Sequence, residues 1–225
     1  MIKLRTILLD ALILFAVSTV FVIAADFAFS GLKKKIPKDD PVVTAVGQGE
    51  IKGLETAIKE VKEDSNNRDT VVAKTDEHGR TSLMRAAYVN FADPEETAKA
   101  DDKRPPMVTL LLDEGAPLNA KDHDGWTALM WASWSGLSKV VDTLLERGAD
   151  IAVADQQGNT ALIIAARRGN VDVVKSLLAK GADKAARNKA GHSALQAAEL
   201  GLKEHPPRFY EDRQEPYRLT ISALR

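Results

Sequence analysis

The 225-residue chain predicts an all-α solenoid of about four to five helix–turn–helix units behind an N-terminal apolar segment. One block recurs every 33 residues, as Asp122-His-Asp-Gly-Trp-Thr-Ala-Leu, Asp155-Gln-Gln-Gly-Asn-Thr-Ala-Leu and Asn188-Lys-Ala-Gly-His-Ser-Ala-Leu. An Ala-rich apolar run, a small break and a second apolar run follow, and the first two units then stop at Gly148-Ala149-Asp150 and Gly181-Ala182-Asp183. A single helix pair of this kind cannot bury its own apolar stripe, so stability must come from stacking on neighbours.

The first residues stand apart from this pattern. Lys3 and Arg5 precede an apolar run from Ile7 to Phe29 that only Asp10 and Asp26 interrupt. As a helix it is about 34 Å long, enough for a hydrocarbon core of about 30 Å. Its two aspartates fall toward the interfaces, where a charge costs least. Residues 1–30 are read as a membrane segment, either an uncleaved anchor or a signal peptide cut ahead of Ala25. The short basic start favours export of the remainder, whereas Lys33, Lys34, Lys35 and Lys38 weigh the other way. The repeats are therefore expected on the extracytoplasmic, periplasmic side, anchored through residues 7–29 or released there after cleavage. Residues 31–41, with their charges and prolines, read as a solvated linker.

The repeats are assigned to 42–204. Ala45-Val-Gly-Gln-Gly49 with Ile51, Leu54, Ala57 and Ile58 parallels Ala165-Ala-Arg-Arg-Gly169 with Val171, Val174, Leu177 and Leu178, which makes 42–75 a degenerate capping pair. The next unit, 76–121, opens at Asp76-Glu-His-Gly-Arg-Thr-Ser-Leu and closes at Gly115-Ala116. It is 13 residues longer than the period. The excess lies in 93–106, a charged stretch ending in Pro105 and Pro106, and is expected to be a surface loop with its Asp101-Asp102 pair solvated. Units 122–154 and 155–187 are regular. Unit 188–204 is cut short by Pro206-Pro207, leaving 205–225 as an atypical cap or tail. Within the units Thr81, Thr127, Thr160 and Ser193 stand where a hydroxyl caps a helix. Gly115, Gly148 and Gly181 stand where a left-handed residue ends one. Val140, Val141, Leu144 and Leu145, like Val173, Val174, Leu177 and Leu178, recur at helical spacing as one buried stripe.

On these motifs the sequence resembles the ankyrin-repeat family, over roughly residues 42 to 204. It is similar to small exported or membrane-anchored ankyrin-repeat proteins of bacteria. The family's usual Thr-Pro-Leu-His is replaced here by Thr-Ser-Leu-Met, Thr-Ala-Leu-Met, Thr-Ala-Leu-Ile and Ser-Ala-Leu-Gln, so the first helices lack a proline that pre-sets their start. The resemblance implies a non-catalytic, monomeric scaffold, without cofactor, that binds a protein partner along a concave face of turn tips and first helices.

Composition and motifs narrow the chemistry. The chain balances 31 Lys and Arg against 32 Asp and Glu, which argues against nonspecific nucleic-acid binding. It has no cysteine, which excludes disulfide scaffolds, thiol catalysis and thiolate metal sites. His78 and His123 neighbour acids in turns, but no two histidines share a helix face at metal-ligand spacing, so no metal site is assigned. Gly47-Gln-Gly49 lacks the rest of a phosphate loop, and no nucleophile elbow occurs. No catalytic residue is assigned.

All three tryptophans fall in one unit. Trp131 aligns with Ile164 and Ala197 on the inner side of a first helix and is expected in the core. Trp126 aligns with Arg80, Asn159 and His192 at turn tips, and Trp134 aligns with Tyr88 and Arg167. Variable positions of this kind suit exposed binding residues, and aromatic residues and Arg dominate interface hot spots. The expected partner-binding set is Arg80, Tyr88, Asp124, Trp126, Trp134, Gln157, Asn159, Arg167 and Arg168, with Tyr88, Trp134 and Arg167 in one row. The competing readings are a membrane-proximal spacer and an enzyme without a recognisable motif. For an uncleaved anchor, the intact mass should include Met1 or lack only that residue, and the protein should resist carbonate extraction; a freely soluble chain starting near Ala25 would establish the signal peptide instead.

Overall fold

The computed structural model describes residues 41–63, 72–90, 94–204 and 214–225. The chain divides into Met1–Asp39 and a compact unit Asp40–Arg225. The apolar segment 7–29 and the linker up to residue 40 lie outside the described residues. Among those described, no helix is long and apolar enough to cross a membrane.

Ten helices are described: α1 (Pro41–Gln48), α2 (Ile51–Glu63), α3 (Ser82–Ala86), α4 (Pro94–Asp113), α5 (Ala128–Ser135), α6 (Ser138–Glu146), α7 (Ala161–Arg168), α8 (Val171–Ala179), α9 (Ala194–Glu204) and α10 (Glu215–Leu224). Consecutive helices form pairs, and the pairs stack in two layers. The odd-numbered helices pack on one another in one layer, and the even-numbered helices in the other. Between the layers lies an aliphatic core that includes Leu54, Leu83, Leu111, Leu129, Leu144, Leu162 and Leu177, each at most 2% exposed. Each pair thus buries on its neighbours the stripe it cannot bury alone.

Local signals set the helix ends. Thr81, Thr127, Thr160 and Ser193 accept from the amides of Met84, Met130, Ile163 and Gln196, three residues on, each satisfying an amide that a helix start leaves without a partner. At the other end the Gly148 amide donates to the Leu145 carbonyl, and the Ala149 amide to that of Leu144. Gly115-Ala116 and Gly181-Ala182 repeat this double bond. It is a Schellman stop, and it requires the left-handed φ of +85° to +89° found at these glycines. In the stripes, Val140, Val141, Leu144, Val173, Val174 and Leu177 are buried, while Leu145 and Leu178 are half-buried.

The extra residues of the long unit are not a loop. Residues 94–106 form the first part of α4, which runs on through Pro105 and Pro106. Local propensity opposes this, because proline removes a helical donor and crowds the preceding turn. Two tertiary contacts hold the segment helical nonetheless. Asp101, expected to be solvated, is only 7% exposed. Its carboxylate accepts from the Ser138 hydroxyl at 3.0 Å and from the amides of Lys139 and Val140 at the start of α6. Leu137 stands at the N-cap of α6 and offers no side-chain oxygen, so the cap comes from another helix. Three residues on, Arg104 donates through Nη1 to the carbonyls of Arg85 and Ala86, at 3.1 and 2.8 Å. A cation on the last carbonyls of α3 also suits the negative end of its dipole.

The C-terminal residues complete the last unit. Residues 205–213 lie outside the described residues, but α10 packs on α9 and α8, taking the place that α8 takes on α7 and α6. Its buried Tyr217 ring lies against Gly169 and Gly201. A Cβ at Gly201 would overlap both that ring and the Arg167 carbonyl, so a helix-interior glycine is required there by close approach.

Asp101→Ala, which uncaps α6 and removes a buried acceptor, should cost about 1–3 kcal/mol in urea denaturation, whereas exposed Asp102→Ala should stay within about 0.5 kcal/mol. Deleting Asp93–Arg104 should cost more than about 3 kcal/mol; a deletion variant that melts like the parent chain would show the segment to be dispensable.

Candidate functional site

Each unit opens with a turn closed by one side chain. Asp76 accepts from the amides of His78 and Arg80, Asp122 from Asp124 and Trp126, Asp155 from Gln157 and Asn159, and Asn188 from Ala190 and His192, all at 2.8–3.1 Å. The backbone amide of the same residue donates to the carbonyl four positions on, which makes a tight hairpin-like turn. Turns of successive units are then joined backbone to backbone: His123 N to His78 O at 2.9 Å, Gln156 N to Asp124 O at 3.1 Å, and Lys189 N to Gln157 O at 2.8 Å. The turn glycines serve both features. Gly158 has φ +78°, and a Cβ on it would come 3.0 Å from the Lys189 amide.

The second carboxylate oxygen needs its own donor, because a half-satisfied buried carboxylate is costly. For Asp155 Oδ2 the donor is Asn159 Nδ2, at 3.0 Å. Asp76 Oδ2 receives Arg80 Nε at 3.0 Å and Arg85 Nη2 at 2.8 Å. Asp122 is different. The residue four positions on is Trp126, and the donor is instead Trp131 Nε1, at 3.0 Å. These settings move the two aspartates in opposite directions. Burial pushes the Asp76 carboxyl up, but the amides of Arg80 and His78 and the charges of Arg80 and Arg85 outweigh it and hold it below its ordinary 3.8. Burial also pushes Asp122 up; the Trp126 amide, the Trp131 indole and the Asp124 amide do not cancel it, so this carboxyl stays above 3.8.

Over the Asp122 turn sits a continuous aromatic cluster. Trp131 is 9% exposed and forms its floor, as its alignment with Ile164 and Ala197 predicts. Tyr88 meets the Trp131 ring edge-on with centres 5.3 Å apart, Trp126 packs on Trp131 at 4.7 Å, and Trp134 meets Trp126 edge-on at 5.7 Å. Such contacts add to simple area burial. The Arg168 guanidinium lies 4.2 Å over Trp134, and that of Arg80 lies 5.9 Å from Trp131.

Two family models match the chain, one of ankyrin repeats in three copies over residues 97–155 and one of ankyrin repeats in many copies over residues 144–198. These segments are ankyrin repeats. No curated protein matched the chain. An ankyrin array supports a role in protein–protein interaction, and it gives the expected binding residues a common frame. Tyr88, Trp126 and Trp134 come together in the cluster, each half-buried rather than fully exposed. Asp124 and Gln157 are exposed at turn tips, with their carbonyls in the inter-turn bonds. Arg80 is committed to Asp76, and Asn159 links Asp155 to Asn188 Nδ2. Arg167 bonds Glu204 at 2.7 Å; Arg168, its neighbour, is the residue that reaches Trp134. The donor rule for the turn carboxylate had a signal in sequence, since Arg80 and Asn159 stand four positions after their aspartates and Arg85 and Trp131 stand nine after theirs.

The opposite shifts give a signed test. Asp122, with its raised value, contributes stability that is full below 3.8 and is lost as pH rises through the folded value. Asp76 contributes stability present above 3.8 and lost as pH falls through its lowered value. The stability of the parent relative to Asp122→Asn should therefore fall with rising pH, and relative to Asp76→Asn it should rise. Urea midpoints across the acid range decide the matter, and slopes of the same sign would refute the assignment.

Proposed function

We propose that the chain is a non-catalytic protein-interaction scaffold that binds its partner on the face carrying Tyr88, Trp126 and Trp134, acting as a monomer, with its N-terminal segment anchoring or exporting it so that the repeats lie outside the cytoplasm. One observation carries the binding reading. Within one unit two tryptophans remain half-buried at the surface while the third is spent on the fold. Half-buried aromatic clusters flanked by arginine have the composition of interface hot spots. The ankyrin architecture supports the reading, because stacked units align equivalent positions into one extended face. The apolar run 7–29 supports the anchored or exported setting.

Trp126→Ala and Trp134→Ala should each weaken capture of a membrane-derived partner by about 1–3 kcal/mol while folding is retained. Leu177→Ala, which opens a cavity in the stacked core, should cost about 2–5 kcal/mol of stability. Quantitative pull-down and thermal melting of the three variants separate the effects. Trp134→Ala unfolding as Leu177→Ala does would make Trp134 a core residue, and unchanged capture by both tryptophan variants would place the binding face elsewhere.

A further inference from the structure

Resting on that reading of the aromatic face, we infer that the partner segment it takes is basic, with an arginine laid on the Trp126 ring and paired with the Asp124 carboxylate. One turn holds these two residues together. The amides of Asp124 and Trp126 both donate to Oδ1 of Asp122, at 3.0 and 2.8 Å. Gly125 lies between them at φ +84°, and a Cβ there would come 3.1 Å from the Gln156 amide, so the next turn packs directly against theirs. Trp126 is half-buried and Asp124 is exposed.

Each of the two has a capacity that the fold leaves unused. Two of the three tryptophans already carry a guanidinium: Arg168 lies 4.2 Å over Trp134, and Arg80 lies 5.9 Å from Trp131. Among the described residues Trp126 carries none, and its ring contacts are with Trp131 and Trp134. The hydrogen bonds of Asp124 are made by its backbone, the amide to Asp122 and the carbonyl to the Gln156 amide. Its carboxylate has neither donor nor cation among the described residues. The cations of neighbouring positions are committed elsewhere. Arg80 and Arg85 share the Asp76 carboxylate, and Lys121 Nζ donates to the Ala154 carbonyl at 3.2 Å.

The charge left over is negative. Turns 76–80, 122–126 and 155–159 carry the carboxyl groups of Asp76, Glu77, Asp122, Asp124 and Asp155 against one arginine, Arg80. Burial first, and the charge of Asp124 with it, push the Asp122 carboxyl up, and a cation on Asp124 relieves the second of these. An arginine meets both needs. Its planar guanidinium stacks on an indole while its edge donates to a carboxylate. The chain's own arginines build that ring contact twice within the cluster. An acidic segment would bring a second carboxylate up to Asp124, and an uncharged one would cover that carboxylate without a counter-charge.

Because all three tryptophans of the chain lie in this cluster, their emission reports on the site alone. The full chain in uncharged detergent would be titrated with an acetylated, amidated synthetic peptide of arginines separated by glycine and serine. A saturable emission change is expected. Citrulline keeps the shape of arginine without its charge, and a citrulline peptide should bind about tenfold more weakly or worse. A lysine peptide, which lacks the planar group, should bind a few-fold more weakly than the arginine peptide. Asp124→Asn should weaken the arginine peptide about three- to fivefold. Trp126→Leu should weaken it about fivefold, with far-UV circular dichroism confirming the fold. The peptide exchanges use the unaltered protein, so they stand even where a variant fails to fold. No saturation by the arginine peptide, equal binding of the citrulline or lysine peptide, or unchanged binding by folded Asp124→Asn or Trp126→Leu would overturn the inference. Partner capture that is lost in Trp134→Ala without any saturation by the arginine peptide would retain the interaction face and discard its basic occupant.

Discussion

The stack depends on the side-chain acceptor that closes each turn. In a solenoid every unit touches only its neighbours, so each joint must be made afresh at each step. The apolar stripes supply most of the driving force, but they are non-directional and tolerate sliding. The turns supply direction. Asp76, Asp122, Asp155 and Asn188 fold their turns into one shape, and that shape presents a carbonyl and an amide in the register that the next turn needs. Individually such bonds contribute only about 0.5–1.5 kcal/mol. Their effect is to fix the spacing between units, without which residues from different units could not share a surface. At the last turn the residue is Asn188, whose amide both accepts within its own turn and donates 2.8 Å to Asn159 of the unit before. An aspartate there could accept but not donate.

The second oxygen of the turn carboxylate then decides which residues are available for anything else. Where Arg80 or Asn159 stands four positions on, the turn-tip side chain is consumed in closing its own turn. In the Asp122 unit the task passes to Trp131, nine positions on, through a bond made inside the core. Trp126 is relieved of a structural hydrogen bond and lies over the floor that Trp131 provides. The cost falls on Asp122, whose neutral donor does less against burial than the two guanidiniums on Asp76, and its carboxyl lies above the ordinary value in consequence. One difference in the turn pattern therefore links a carboxylate without a cationic partner to a more apolar surface.

What could be read from sequence was what is local and periodic. Thr127 and Thr160 cap because the hydroxyl and its amide are three residues apart, and Gly148 and Gly181 stop helices through bonds within the same turn. Trp131 could be placed in the core by register alone. The failures share the opposite property. Asp101 acts on residues 37 to 39 positions away, and nothing in its charged surroundings distinguishes it from exposed Asp102. Pro105 and Pro106 oppose a helix locally, and only the distant contacts of Asp101 and Arg104 override them. Arg167 shares the repeat register of Trp134, yet Arg168 reaches its ring, because side-chain direction at a helix end is set by tertiary partners such as Glu204 rather than by spacing. The place of α10 was hidden similarly, since Pro206 and Pro207 mark an interruption but not the resumption nine residues later.

The insert bears on the candidate surface although it lies in the other layer. Arg104 fixes the end of α3, directly before Tyr88, while Asp101 fixes the start of α6, directly after the unit's three tryptophans. Arg104 acts within its own unit, whereas Asp101 reaches into the next, and a further bond joins those two units, from the Val89 amide to the Ser135 hydroxyl at 3.0 Å. Tyr88 comes from one unit and Trp131 from the next, and an edge-on ring contact is sensitive to displacements of about an ångström. Stripe packing alone holds neighbouring pairs less tightly than that, since apolar contacts are individually weak and adaptable. The Asp101 cap and the Val89–Ser135 bond, both directional and both crossing the junction, supply the missing rigidity. On this account the extra helical turns of α4 set the distance between the two units from which the aromatic face is assembled, and the irregularity in the repeat period is part of how that face is built.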